Sequence, residues 1–275
     1  MIRFLSVIFI GIIMTTACTS RVVEMQADQV GEGEPNSNRS QADPTAFPFK
    51  IKVGERLKFS VRWLGLEVGR AEAFVKGIEE INGRKAYHIV ALARSNSLID
   101  IVYPVRDEHH TFIDVEKLHS LRYEKVLREG RYRADEEIDF DQESHKALYH
   151  SRKSNSKKWV LLSKDVQDEL SSAYWFRMQP TRVGDTIHVP ANCDEKNWDL
   201  AVKVLNRRKV KVDNLGNFDA FEIEPSAKFQ GIFIRRGKIR GWMSADEKRL
   251  PLMMKTKIPV LGTITVVLTG YEGGS

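Results

Sequence analysis

The chain has almost no cysteine. Its 275 residues contain two, Cys18 and Cys193, so the folded part has no pair of thiols from which to build a disulfide framework. Neither lies at zinc-site spacing from another Cys or a His, and Cys193 reads as a partly buried residue near a turn. Long apolar runs are missing too. The stretch from Phe4 to Met14 is broken by Ser6 and Gly11 and falls short of the roughly 20 residues that a membrane-crossing helix needs. The signatures of common catalytic sites are absent: there is no His-Glu-x-x-His, no phosphate loop and no Gly-x-Ser-x-Gly elbow. No internal repeat recurs at a fixed period.

What is present begins at the N-terminus. Arg3 supplies positive charge, Phe4 to Met14 a short apolar stretch and Thr15-Thr16-Ala17 small residues, and Cys18 follows at once. Charged, apolar, small is the order of a secretory signal. The Cys directly after it resembles the lipobox of bacterial lipoproteins, with Thr15 where that motif usually carries Leu. The resemblance implies cleavage after Ala17 and acylation of Cys18, which moors the chain to a membrane through an N-terminal lipid anchor. Thr19 in place of Asp implies sorting to the outer membrane, facing the periplasm or the surface. Residues 19–46 hold Gly31, Gly33, Pro35, Asn36 and Asn38 among few large apolar side chains, too little to offset the entropy of ordering. The expected division is a signal peptide over 1–17, the lipidated Cys18 and a flexible tether over 18–46, and one β-rich domain over 47–272. Behind such a leader, the net charge of +6 points away from nucleic acid and toward anionic envelope partners such as lipid or lipopolysaccharide.

The body is patterned as strands. Leu57, Phe59, Val61 and Trp63 alternate with Lys58, Ser60 and Arg62, the period of a strand with one buried face. Trp198 to Val204 and Phe221 to Glu224 repeat that period. Asn82-Gly83 and Glu129-Gly130 read as hairpin turns. Residues 95–102 read as a helical turn or an irregular crossover. Ile232 to Arg236 and Lys238 to Met243 read as a tight pair about Gly237, and Leu250 to Ile258 with Thr263 to Leu268 as a final hairpin. One helix is expected over 165–178. Asp165 would cap it, Asp168 would complete a capping box, and Val166, Leu170, Ala173, Tyr174 and Arg177 would share one face. Short strands in such number predict a mainly β fold: a large curled antiparallel sheet or open β-barrel with that helix packed against it.

Gly54-Glu55 before Leu57-Lys58-Phe59, then Trp63, Gly65 and Gly69, resembles the start of the bacterial domain-of-unknown-function 3108 family. The block from Asp165 to Tyr174 with Arg177 resembles that family's central Asp-x-x-Ser-Ala-Tyr helix. Val183-Gly184-Asp185 resembles its following turn, and Trp242 to Asp246 with Arg249-Leu250-Pro251 its late strands. Gly262 and Leu268 close the pattern. The resemblance covers about residues 47–271 and implies an exported, β-rich envelope protein. It assigns no catalytic residue.

Asp107-Glu108-His109-His110 is the densest cluster of ligand types. On a strand, Asp107 and His109 face one side and Glu108 and His110 the other, too few on either for a metal unless another strand contributes. Asp139 to His145 places oxygen ligands at alternate positions, but Ser144 and His150 stand where a calcium loop needs Gly and Glu. No metal, cofactor or catalytic residue is expected. Two basic clusters are candidate anion-binding sites: Arg207, Arg208, Lys209 and Lys211, and Arg235, Arg236, Lys238 and Arg240. The expected function is a non-enzymatic, membrane-tethered binding or assembly module engaging lipid, glycan or a protein partner. Its concave apolar face would be lined by aromatics such as Trp63, Trp175 and Trp242. The alternative is a structural partner in a surface or secretion complex, and the third reading is an envelope hydrolase.

Overall fold

The computed structural model describes residues 49–275 apart from 230, 231, 235–237 and 259–261. The leader, Cys18, the tether, Arg235, Arg236 and Gly237 lie outside the described residues. Alternating sequence builds strands β1 (Arg56–Trp63), β2 (Leu66–Ile81), β3 (Arg84–Ser95), β4 (Arg106–Asp114), β5 (Ser120–Glu129), β6 (Tyr132–Asp141), β7 (Lys146–Ser151) and β8 (Ser156–Leu161). The C-terminal part adds β9 (Thr186–Cys193), β10 (Lys196–Val212), β11 (Gly216–Phe229), β12 (Ile232–Ile234), β13 (Lys238–Ser244), β14 (Pro251–Ile258) and β15 (Gly262–Glu272). Two short helices interrupt them, α1 (Ser97–Asp100) and α2 (Ser171–Arg177).

All the strands join one antiparallel sheet, in the order β8-β7-β6-β5-β4-β3-β2-β1-β15-β14-β13-β11-β10-β9. The first half is a meander. The C-terminal β15 then pairs with β1, and the second half runs away in the other direction. Asn82 and Gly83 make the β2–β3 turn with φ of 51° and 78°, the left-handed pair that such a hairpin requires. Register shifts in β1, β2, β4, β10 and β13 supply the local bends that let so long a sheet curl.

The sheet curls without closing. Its end strands β8 and β9 do not pair. The connector after β8 crosses the gap: the Leu162 amide donates to the His145 carbonyl, the Gln167 amide to Pro190, and the Asn192 amide to the Gln167 carbonyl. Gln167 thus forms a parallel bridge with Ala191. Helix α2 follows inside the curl. Phe176 packs with Val202, Val204, Phe221, Ile223 and Met243 of the second half, while Tyr174 and Leu170 join a core that reaches Ile138 and Ala147 of the first.

Two expectations are corrected. The helix starts at Ser171 rather than at 165, because the backbone of Gln167 is used in the bridge to β9 and Asp165 sits at φ 51°. Nor, among the described residues, do β12 and β13 pair with each other. Both pair with β11, β12 at Ala227–Phe229 and β13 at Ala220–Ile223, so they run along successive stretches of one neighbour. At 14 residues, β11 is long enough to pair with both.

Candidate functional site

The two ends of α2 meet different chemistry. At its start, Asp168 is fully buried and accepts four hydrogen bonds. The amides of Leu170 and Ser171 donate to Oδ1 at 2.8 Å, and the hydroxyls of Thr111 and Ser120 to Oδ2 at 2.5 Å. Burial pushes this carboxyl above its ordinary value, and the four donors pull against that. Asp168 therefore caps the helix and ties it to β4 and β5, the role that sequence gave jointly to Asp165 and Asp168.

Beside it lies a buried ionic cluster. Lys125 Nζ is 3.1 Å from Asp194, 3.3 Å from Glu136 and 3.4 Å from Glu169. Burial alone would lower its pKa, but Glu169, Asp194 and Glu136 outweigh it and hold the ammonium well above its ordinary value. Burial pushes Glu169 up, against the pull of Lys125. The Tyr123 hydroxyl touches both His109 Nδ1 and Glu169 Oε2. One hydroxyl proton serves one acceptor, so when Glu169 takes it His109 donates from Nδ1. Burial, helped by Lys125 and His110, drops His109 to about 3, which leaves the imidazole neutral at neutral pH. Asp107 and His109 are both buried while Glu108 is exposed, the alternation expected of a strand. On the opposite face, Glu79, His88, His110 and Glu108 form a chain of contacts at 2.7, 2.8 and 2.7 Å. Among the described residues no group of three His, Cys, Asp or Glu is placed to hold a metal ion.

Along its length, from Leu170 to Arg177, α2 borders an apolar cavity of about 80 Å³. Strand β1 contributes Leu57 and Phe59, β13 Met243, β14 Met253 and Met254, and α2 Ala173 and Phe176. This space takes a short apolar group, not a whole acyl chain. Its methionines are unbranched and adaptable, so the walls can give. Arg177 lines one side, its guanidinium forked onto the buried Glu55 and stacked at 3.8 Å on the Phe49 ring. None of His109, Tyr123, Lys125 or Glu169 borders the cavity. Of the three tryptophans expected there, only Trp242 lines it. Trp63 is exposed at the end of β1, and Trp175 packs against the cluster around Val189 and Trp198.

Among the described residues, Arg240 of the second basic cluster comes beside Arg208 of the first, but acid is interleaved with them. Arg208 and Arg240 both reach Glu222, at 3.3 and 3.8 Å, Arg240 also reaches Glu224, and Arg207 pairs with Asp219. Lys209 and Lys211 are exposed on β10, and Lys238 opens β13. Cys193 is buried at the end of β9. Sequence reading missed Lys125, Tyr123, Glu169 and the Glu55–Arg177 pair. For Lys125 and Tyr123 one sign existed: both alternate on the same side of β5.

These features define a class: an open, barrel-like antiparallel sheet wound round one short helix, with an apolar cavity beside that helix. The chain belongs to the family of proteins of unknown function DUF3108, whose model matches residues 58–269. No curated protein matches it. Among solved structures it is similar to a β-barrel-like protein of the domain of unknown function DUF1849 from Brucella abortus. The TM-score is 0.52 at 11% identity, over 81% of this chain and 98% of that one. At that identity the likeness shows the fold alone. A candidate lipoprotein from Parabacteroides distasonis gives a TM-score of 0.36 at 9% identity, over 82% of this chain and 98% of that one. A candidate exported protein with a YmcC-like fold from Bacteroides fragilis gives 0.32 at 11%, over 83% and 100%.

Proposed function

We propose that this chain is a non-enzymatic lipoprotein of the bacterial envelope, moored to the outer membrane by an acylated Cys18. Its curled sheet would hold an apolar group beside α2, namely the end of an acyl chain. The observation that carries this reading is the cavity itself, walled by Leu57, Phe59, Ala173 and three methionines, with its one charge, Arg177, already paired. Ligand sites are concave, mostly apolar and few per protein. The leader ending in Ala17-Cys18 supports the location. The buried ionisable groups engage one another rather than the cavity, which favours binding over catalysis. The test is native mass spectrometry of the full chain after gentle detergent extraction, with Ala173→Phe to fill the space. One retained lipid per chain, lost in the variant, is the expected result. A folded chain that carries no lipid and takes none from added phospholipid would overturn it.

A second reading, a structural partner in a surface complex, is favoured by β8. This end strand of the sheet exposes Trp159 and Leu161, and an uncovered edge offers backbone groups to another strand. Photo-crosslinking from position 159 in cells distinguishes the two, since this reading requires one dominant protein neighbour.

A further inference from the structure

The two ends of the curled sheet are unlike. At one end lie the β1–β2 turn, the β3–β4 connection with α1, and the β5–β6 turn. They are joined to one another: the Asn96 amide donates to the Val68 carbonyl at 2.9 Å, Asn96 Nδ2 to the Glu67 carbonyl at 2.6 Å, and the Gly130 amide to the Pro104 carbonyl at 2.8 Å. From this end project Leu64, Leu66, Leu98, Ile101 and Val102, exposed by 66, 71, 65, 82 and 81%. They are the most exposed large apolar side chains here apart from Leu161, and five at one end make a patch rather than a scatter. A collar of exposed arginines stands around them: Arg70 and Arg94 at the first two connections, Arg128, Arg131 and Arg133 at the third. Their acidic neighbours are fewer. Glu67 pairs with Arg70, and Asp100 with Arg106.

We infer that this end docks on an anionic lipid bilayer, with the leucines, Ile101 and Val102 entering the headgroup layer and the arginines meeting lipid phosphates. The shape argues for a membrane over a protein. The apolar side chains sit at or beside connections between strands, and none of them lines the cavity; a fluid bilayer accepts such side chains without a matching pocket. The charge fits as well, because Lys and Arg side chains close to an anionic leaflet are drawn to its surface potential. The tether allows the orientation. The chain enters at the start of β1, and the eight residues of β1 place that point about 26 Å from the tip. If residues 19–46 form the tether that their composition leads one to expect, their root-mean-square reach would be about 30 Å, so a lipid on Cys18 and a tip-down body could occupy one leaflet. This inference does not depend on the cavity being filled.

The test is amide hydrogen exchange on the full chain mixed with vesicles of phosphatidylethanolamine and phosphatidylglycerol, or of phosphatidylcholine alone. The control is Leu66→Asp combined with Ile101→Asp, whose exposed positions leave the core untouched. Exchange over 64–66 and 97–102 should slow at least tenfold on the anionic vesicles, less on the neutral ones, and not in the double variant, with β4 amides unchanged throughout. Equal exchange in wild type and variant on anionic vesicles would sink the idea. So would protection that appears only when an envelope protein extract is added.

Discussion

Arg177 and Glu55, 122 residues apart in sequence, meet as a forked pair inside the sheet, with Nη1 and Nη2 at 2.8 and 2.7 Å from the two carboxylate oxygens. Arg177 Nε and Nη2 also donate to the carbonyls of Arg249 and Lys248. One guanidinium thus joins the end of α2 to the residue before β1 and to the turn before β14. Breaking a buried pair from one side leaves the other charge buried and uncompensated, which costs about 3–5 kcal/mol. Arg177→Met should lose that much stability in urea unfolding. Arg177→Lys should lose nearly as much, since an ammonium keeps the charge but cannot fork. A loss under 1 kcal/mol in both would mean that the pair contributes little to holding the fold.

Asp168 is the matching anchor at the other end of α2. Its carboxylate satisfies two backbone amides and two hydroxyls in a fully buried site. Hydrogen bonds to a charged group are worth about 1.5–3 kcal/mol each, and orphaned buried donors add their desolvation cost. Asp168→Ala should destabilise by at least about 3 kcal/mol. Asp168→Asn keeps the shape but removes the charge and forces the Thr111 and Ser120 hydroxyls, which donate to Oδ2, to accept instead, so it should do little better. Thermal unfolding of the three chains ranks them. An Asn variant as stable as wild type would show that charge and acceptor count do not matter there.

How much of this was legible in advance follows from range. Hairpin chemistry is local, so Asn82-Gly83, the β1 alternation and the facing of Asp107 and His109 to one side and Glu108 to the other could all be read directly; that the first side is buried could not. The helix that sequence predicts over 165–178 is too long because 165–170 has helical spacing and caps, while the remote β9 strand claims the Gln167 backbone for a bridge. The meeting of Asp168 with Ser120 and Thr111 spans 48 and 57 residues, and no periodicity encodes it. The apolar tip escaped for another reason. Leu64, Leu66, Leu98, Ile101 and Val102 belong to separate connections, and only the sheet order makes them neighbours.

His109 gives the stability curve a defined slope. Its pKa falls from about 6.5 in the unfolded chain to about 3 in the folded one. Between those values the unfolded state binds the proton and the folded state does not. His109's contribution to stability is therefore whole above pH 6.5 and shrinks as pH falls toward 3, by about 1.4 kcal/mol per pH unit for one proton. The raised carboxyls of Asp168 and Glu169 act in the opposite sense over part of that range, and a difference measurement cancels them. The stability of wild type minus that of His109→Gln should be flat above pH 6.5 and decline below it. A constant difference from pH 7 to pH 4 would show that His109 protonates as easily folded as unfolded.

Gly130 tests the turn that carries part of the arginine collar. Its φ is +51°, and a Cβ there would lie 2.8 and 2.9 Å from the Tyr103 ring carbons. Two separate costs follow for Gly130→Ala. The left-handed backbone costs an L-residue about 1–2 kcal/mol wherever it occurs. The collision with Tyr103 adds to this, because the ring must shift out of its packing against the turn. The two are separable. In a Tyr103→Leu background the ring is gone, and Gly130→Ala should cost only the backbone share. A double-mutant cycle by urea unfolding should then give a coupling of about 1 kcal/mol between positions 103 and 130, in the range expected of residues in contact. Additive costs would mean that the ring moves aside freely and that backbone conformation alone selects glycine at this turn.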